Sequence, residues 1–231
     1  MRPIALLIFL ALATALLPAR SQTLADFFLK IPDKDVALFE RVAGAKLDTS
    51  ARRRILGAAE AGRATSFGEG PVHDAVIDAK NGYLHFKVHP DGGEGADLTL
   101  TYWREKKGGL YLVGLTVDHW TLPWTVTETV RFYSWNGKEL SDVTAQHLRD
   151  LRPALFAPKI QGAEELGLPP HCTWRWLLPR HGTTIRITCP ELHLEDSAKA
   201  LAKSAVESQL RWNGFDFDRA GPVRPTTSPN R

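Results

Sequence analysis

From Val72 to Val143 apolar side chains recur at every second position in short runs, and turn-forming residues separate the runs. A period of two sends alternate side chains to opposite faces of a strand, so this stretch is committed to β-structure with an apolar face to be covered. The runs are Val72–Ala79, Tyr83–His89, Leu98–Arg104, Leu110–Asp118, Thr125–Ser134 and Lys138–Val143. Connections this short join antiparallel neighbours, which predicts six strands in sequential order, a meander.

The turns set the register. Asn81-Gly82 is the dipeptide favoured in two-residue hairpin loops, because both central residues need positive φ. Such a loop places Ala75 opposite Val88, Ile77 opposite Phe86 and Ala79 opposite Leu84 on one face. A two-residue loop at Lys107-Gly108 places Leu98 opposite Val117, Leu100 opposite Leu115 and Tyr102 opposite Val113. Asn136-Gly137 closes the third hairpin.

Before the strands the period is helical. Leu24, Phe27 and Phe28 share one face of a helix that Thr23 can cap and Pro32 ends. A second helix is expected over Val36–Ala45, with Val36, Leu38, Phe39 and Val42 available to a core. A third follows Asp48 or Thr49 as cap, through Ile55-Leu56 to about Arg63. Its Arg52-Arg53-Arg54 run reads as a solvated flank rather than an anion site.

After Val143 the pattern weakens. Gln146–Phe156 reads as a short helix broken at Pro153, Gly162–Pro170 as loop, and Asp196 to Val206 as a further helix. A strand at Ser208–Trp212 turns at Asn213-Gly214 toward Phe217. From Ala220 the chain carries three prolines and few apolar residues and reads as a disordered tail.

The chain has two cysteines, Cys172 and Cys189. A hairpin centred on Arg180-His181 sets them directly opposite one another, with Trp174 facing Ile187, Trp176 facing Ile185 and Leu178 facing Thr183 on the same face. Arg175 then faces Arg186 on the other. A disulfide between them closes a loop of about 16 residues, worth roughly 3 kcal/mol in the chain-entropy account. There is no Cys-x-x-Cys, so a structural bridge is the expected role.

That bridge needs an oxidising compartment, and the first residues point to one. Met1-Arg2-Pro3 is a short positive start, Ile4–Leu17 an apolar run too short to span a bilayer, and Ala19-Arg20-Ser21 a small-residue cleavage site. Residues 1–21 therefore read as a signal peptide cleaved after Ser21, and the mature chain as periplasmic or secreted, with no integral membrane segment. Arg2 and Arg20 leave with the leader, so 29 basic residues fall to 27 against 26 acids, and the net charge falls from +3 to +1. So even a balance gives no electrostatic case for nucleic acid.

No hydrolase, zinc-protease, nucleotide or dinucleotide fingerprint is present, so no catalytic residue, metal ligand or cofactor is assigned. His85 and His89 share one side of a strand with Lys87 between them, which argues against a divalent metal. Asp118-His119 is the one acid–base neighbour pair, though adjacent strand residues point apart. Of seven tryptophans, Trp120 and Trp124 fall in a strand connection, Trp120-Thr121-Leu122-Pro123-Trp124, where they could stack on a sugar ring or grip a peptide. Plugging the end of the sheet is the plainer role for them.

The mature start Ser21-Gln22-Thr23-Leu24-Ala25-Asp26-Phe27-Phe28 through Ile31-Pro32-Asp33 resembles that of a family of uncharacterised secreted proteins of Bacteroidetes-type bacteria. The similarity continues through Tyr83-Leu84, Arg131-Phe132-Tyr133 and Leu210-Arg211-Trp212-Asn213-Gly214-Phe215. The resemblance implies export and a single α+β unit, and carries no catalytic residue with it.

The expectation is thus an α+β domain over residues 22–219, with N-terminal helices on an antiparallel meander and a disulfide-closed C-terminal hairpin. Residues 145–170 are the place for any sub-boundary. The function expected is non-catalytic binding of a glycan or peptide at the cell envelope. The alternatives are a periplasmic hydrolase with a site near Asp118 and His119, and an envelope assembly or structural factor.

Overall fold

The computed structural model describes residues 24–68, 70–90, 93–106, 109–121, 124–148, 175–188 and 207–223. Three helices come first: α1 (Leu24–Lys30), α2 (Ala37–Ala43) and α3 (Thr49–Glu60), with a 3-10 turn at Asp33–Asp35. The Asp48 carboxylate accepts the Ala51 N–H and caps α3, satisfying one of the donors a helix start leaves open. Gly44, at φ 66°, ends α2 in the left-handed region where a side chain would be strained.

The Arg52-Arg53-Arg54 run is not uniformly a solvated flank. Arg53 and Arg54 are exposed, but Arg52 is 2% exposed. Its Nε donates to Leu47 O at 2.7 Å, one Nη to Phe28 O at 3.1 Å and Ile31 O at 2.6 Å, and the other Nη to Asp33 Oδ1 at 2.8 Å. The guanidinium therefore satisfies carbonyls left open at the end of α1 and ties that end to the start of α3. Helical geometry explains the split: Arg52 shares a face with Ile55 and Leu56, three and four residues on, whereas Arg53 and Arg54 turn away.

Seven strands follow in strict sequential antiparallel order: β1 (Thr65–Phe67), β2 (Gly70–Asp78), β3 (Tyr83–Val88), β4 (Glu94–Arg104), β5 (Tyr111–Thr121), β6 (Trp124–Trp135) and β7 (Leu140–Asp142). The six expected strands are present, and β1 adds a short edge. The β4–β5 register is the expected one, with Leu98 opposite Val117, Leu100 opposite Leu115 and Tyr102 opposite Val113.

The β2–β3 register is not. Ile77 pairs with Leu84 and Asp78 with Tyr83, two residues from the expected alignment. The turn holds four residues rather than two, because the Asp78 carboxylate accepts from Asn81 and a β-turn closes from Asn81 N–H to Asp78 O before Gly82 at φ 66°. Further along, a bulge between His73 and Val76 puts Asp74 at φ 49° and brings Val72 opposite Val88.

A second sheet of four strands has the order β11-β10-β9-β8, from β8 (Arg175–Leu177), β9 (Thr184–Thr188), β10 (Glu207–Trp212) and β11 (Phe217–Val223). Trp176 pairs with Ile187 and Arg175 with Thr188, again two residues from the expected register, with Leu178–Thr183 forming the longer connection. A slip of two keeps each side chain on its face, so the apolar pattern does not detect it. The expected pairing of Cys172 with Cys189 belongs to the other alignment, and both cysteines lie outside the described residues. β11 also runs through Ala220 to Val223, into the stretch read as tail. A short helix, α4 (Thr144–Leu148), follows β7; the expected helix at 196–206 and most of 145–170 lie outside the described residues.

The three layers enclose two cores. Helices α1–α3 cover one face of the large sheet, where Phe27, Phe28, Val36, Phe39 and Ile55 meet Phe86, Leu98, Leu100 and Leu115. The small sheet covers part of the other face, where Ile185, Ile187, Leu210 and Trp212 meet Trp103, Leu112 and Phe132. Buried Asp35 pins the helix layer to β6, accepting from Arg131 Nε at 2.9 Å and Tyr133 OH at 2.8 Å. Burial, reinforced by that carboxylate, pushes the Tyr133 phenol well above its usual range.

Denaturant titration should separate the arginines of α3. Arg52→Met is expected to cost about 3 kcal/mol or more, because several buried carbonyls and Asp33 lose their donor. Arg53→Met is expected to stay within about 0.5 kcal/mol of the parent, as for an exposed residue.

Candidate functional site between the sheets

The face of the large sheet turned toward the small one is apolar at β4's Trp103 end and polar at its other end. Strand pairing lays the polar groups in rows. Lys87, Asp97, Asp118 and Thr127 lie side by side on β3, β4, β5 and β6, and His85, Thr99 and Thr116 form the next row. Asp97 and Asp118 are each 4% exposed. Two adjacent buried carboxylates repel and lose hydration, so they persist only with donors around them.

Those donors are present. Asp118 accepts from the Thr127 hydroxyl and from Arg175 Nε at 3.3 Å. Asp97 accepts from the Trp120 indole N–H at 3.1 Å, and its other oxygen stands 3.7 Å from Arg175 Nη2. One guanidinium, from edge strand β8, thus spans both carboxylates. Burial first, and the Asp97 charge after it, lifts the Asp118 carboxyl to about 6, against the opposing pull of Thr127 and Arg175. The His85 imidazole, 2.9 Å from Thr99 Oγ1, is pushed down by burial. Burial likewise raises the Tyr83 phenol.

Further bonds fasten β8 and its connection to this face. Trp176 N–H donates to Thr127 Oγ1, Thr101 Oγ1 to Pro179 O, and Arg180 Nε to Asp78 Oδ2 at 2.9 Å. Asp78 is held down to about 2, by the Asn81 side chain first and by Arg180 after it. A raised carboxyl beside a second carboxylate is an arrangement suited to proton transfer. Here all four carboxylate oxygens face protein donors, and the cluster serves to lock the sheets together.

Trp120 lies within β5 rather than in an open connection, since Thr121 already pairs with Trp124 at the start of β6. Its ring lies across Gly95: a Cβ there would stand 2.2 Å from Trp120 Cζ2, so the site requires glycine. The His89 ring meets Trp120 edge-on, with centroids 4.6 Å apart, and His73 follows His89 at 6.4 Å. The result is a half-buried aromatic ledge, its indole anchored by Asp97.

Asp118 and His119 are not brought together. Asp118 faces the small sheet, whereas His119 lies on the opposite side with Glu94 Oε1 at 2.7 Å and Glu128 Oε1 at 3.3 Å. His85 and His89 also have separate partners, Thr99 and Pro90 O. Among the described residues no group of three or more His, Cys, Asp or Glu has the geometry to hold a metal. The Asp97–Asp118 pair was available from the sequence, because the register that aligns Leu98 with Val117 also aligns these two. Nothing local in the sequence marks Arg175 as their partner.

No protein-family model matches the chain, and neither a curated protein nor a solved structure matches it. No helix among the described residues is long and apolar enough to cross a membrane.

The carboxyl resonance of Asp118 should titrate with a midpoint near pH 6. Because the folded protein holds this proton more tightly than the unfolded chain, its contribution to stability is full below about pH 4 and is lost as pH rises through 6. Asp118→Asn should flatten that part of the stability–pH curve. A midpoint at or below 4 would show that Arg175 outweighs burial.

Proposed function

We propose that the protein is an exported, non-catalytic binding protein of the cell envelope, periplasmic or secreted, that takes a glycan or peptide on the ledge formed by Trp120. The observation that carries this reading is the ring of Trp120, half open to solvent yet fixed by Gly95, Asp97 and His89. A ring already held in place loses little freedom on binding, which favours stacking on a sugar or a peptide side chain. Trp124, which begins the neighbouring strand opposite Thr121, is the second residue of the proposed ligand-binding pair.

Export rests on the leader-like residues 1–21, and on that basis Cys172 and Cys189 are proposed to form a disulfide after cleavage behind Ser21. Membership in the secreted bacterial family is part of the same proposal and rests on the matching segments alone. The binding reading is preferred to a hydrolase at Asp118 and His119, because these two side chains face opposite sides of the sheet and the carboxylate is engaged by Thr127 and Arg175.

The test uses protein collected from an exporting host. Its mass should correspond to residues 22–231 less two hydrogens. A glycan and peptide panel should yield a ligand whose affinity falls about tenfold or more in Trp120→Ala, with Trp120→Phe retaining most of it, as expected for a central aromatic contact. An intact leader with free thiols would refute export. A ligand indifferent to both substitutions, or none from the panel, would refute the ledge. Co-purification of a partner protein in that second case would favour an assembly role.

A further inference from the structure

We propose that the groove between the middle of α3 and the start of β1 binds a phosphate-bearing ligand through Arg53, Arg54 and Arg63. The groove is an open concavity of about 370 Å³ lined by Arg53, Arg54, Gly57, Ala58, Arg63, Ala64 and Thr65, and among the described residues no carboxylate lines it. The three arginines are exposed, and no guanidinium among them has an ion-pair or hydrogen-bond partner among the described residues. In this they differ from Arg52, the first residue of the arginine run in α3, whose guanidinium is bound to Asp33.

The chain builds this cluster from two directions. Arg53 and Arg54 come from the middle of α3. Arg63 is returned beside them by the turn that ends the helix, in which Gly62 takes φ 60° and the Arg63 N–H bonds back to Ala58 O at 2.8 Å. Gly62 N–H closes on Ala59 O, so carbonyls of the last turn already have donors and do not compete for the arginines.

Gly57 supplies a second, independent observation. It lies in the interior of a twelve-residue helix, where glycine is about 1 kcal/mol less favourable than alanine. Its φ is not in the left-handed region, and a Cβ built on it would meet no atom within 4 Å. Neither backbone conformation nor packing calls for glycine there. What the missing side chain does is leave open space where Gly57 lines the groove together with the three arginines. Arginine's planar fork of donors matches the oxygens of a phosphate, and three in one concavity exceed what a single carboxylate would need. Two sources carry this chemistry, a soluble organic phosphate and a phospholipid headgroup.

The experiment takes the full mature chain in about 0.15 M salt, where exposed charges are largely screened. Pyrophosphate and glycerol 3-phosphate are titrated calorimetrically, and phosphatidylglycerol in phosphatidylcholine vesicles is tested by co-sedimentation. The expected result is saturable binding of at least one probe, weakened about tenfold or more both by R53Q/R63Q and by G57L, with the thermal midpoint of R53Q/R63Q unchanged. Binding to the soluble probes identifies a free phosphate compound, and binding to vesicles alone identifies a lipid headgroup. Absence of saturable binding to every probe would overturn the proposal. So would binding that survives R53Q/R63Q, or that survives G57L and therefore needs charge but no groove.

Discussion

Between Glu94 and Thr121 the chain lays down two long strands, β4 and β5, that are buried on both faces over most of their length. Every side chain there must be matched by a layer above or below, and the two faces are matched by different chemistry. Toward the helices the match is apolar: Ala96, Leu98, Leu100, Val113, Leu115 and Val117 meet aromatic rings from α1 and α2. Toward the small sheet the same strands present Asp97, Thr99, Thr101, Thr116 and Asp118. Burial of these groups is tolerable only where donors reach them, and Arg175, Thr127 and Trp120 do so. The position of β8 follows from this requirement as much as from the apolar contacts of Ile185 and Ile187.

The helix layer follows the same logic. α1 and α2 have seven residues each, too few to be stable alone, so they depend on what they pack against and on how their ends are satisfied. Arg52 meets that need at the end of α1, Glu40 accepts the Leu47 N–H after α2, and Asp35 binds the layer to β6. Each is a buried charged group, and Arg52 and Asp35 are joined to neighbours distant in sequence. Removing one leaves others unpaired, so these positions bear more of the layer's placement than their number suggests.

The sequence was legible where local chemistry decides the outcome. Alternation located the strands of the meander, and the short loop after Arg104 gave the β4–β5 pairing residue for residue. Register was lost where side chains rebuilt the turn. Asp78 and Asn81 close a four-residue loop in place of the tight Asn81-Gly82 hairpin, and Asp74 adds a bulge that no alternation pattern contains. The β8–β9 hairpin slipped by two, which leaves every face unchanged; the β2–β3 hairpin slipped by two at its turn and by three beyond the Asp74 bulge, which turns Val72 to the face of Val88. Arg52 was concealed by its neighbours: a triple-arginine run looks solvated until its helical phase with Ile55 and Leu56 is considered. The contact between Asp118 and Arg175 spans 57 residues and carries no local signal.

Double burial of the central strands is most directly tested by native-state hydrogen exchange. The amides of Leu98, Thr99, Leu100, Leu115, Thr116 and Val117 should be the slowest in the protein, opening only with global unfolding, while those of β1 and β7 exchange through local fraying. Equal rates in the central and edge strands would contradict a fold organised around β4 and β5.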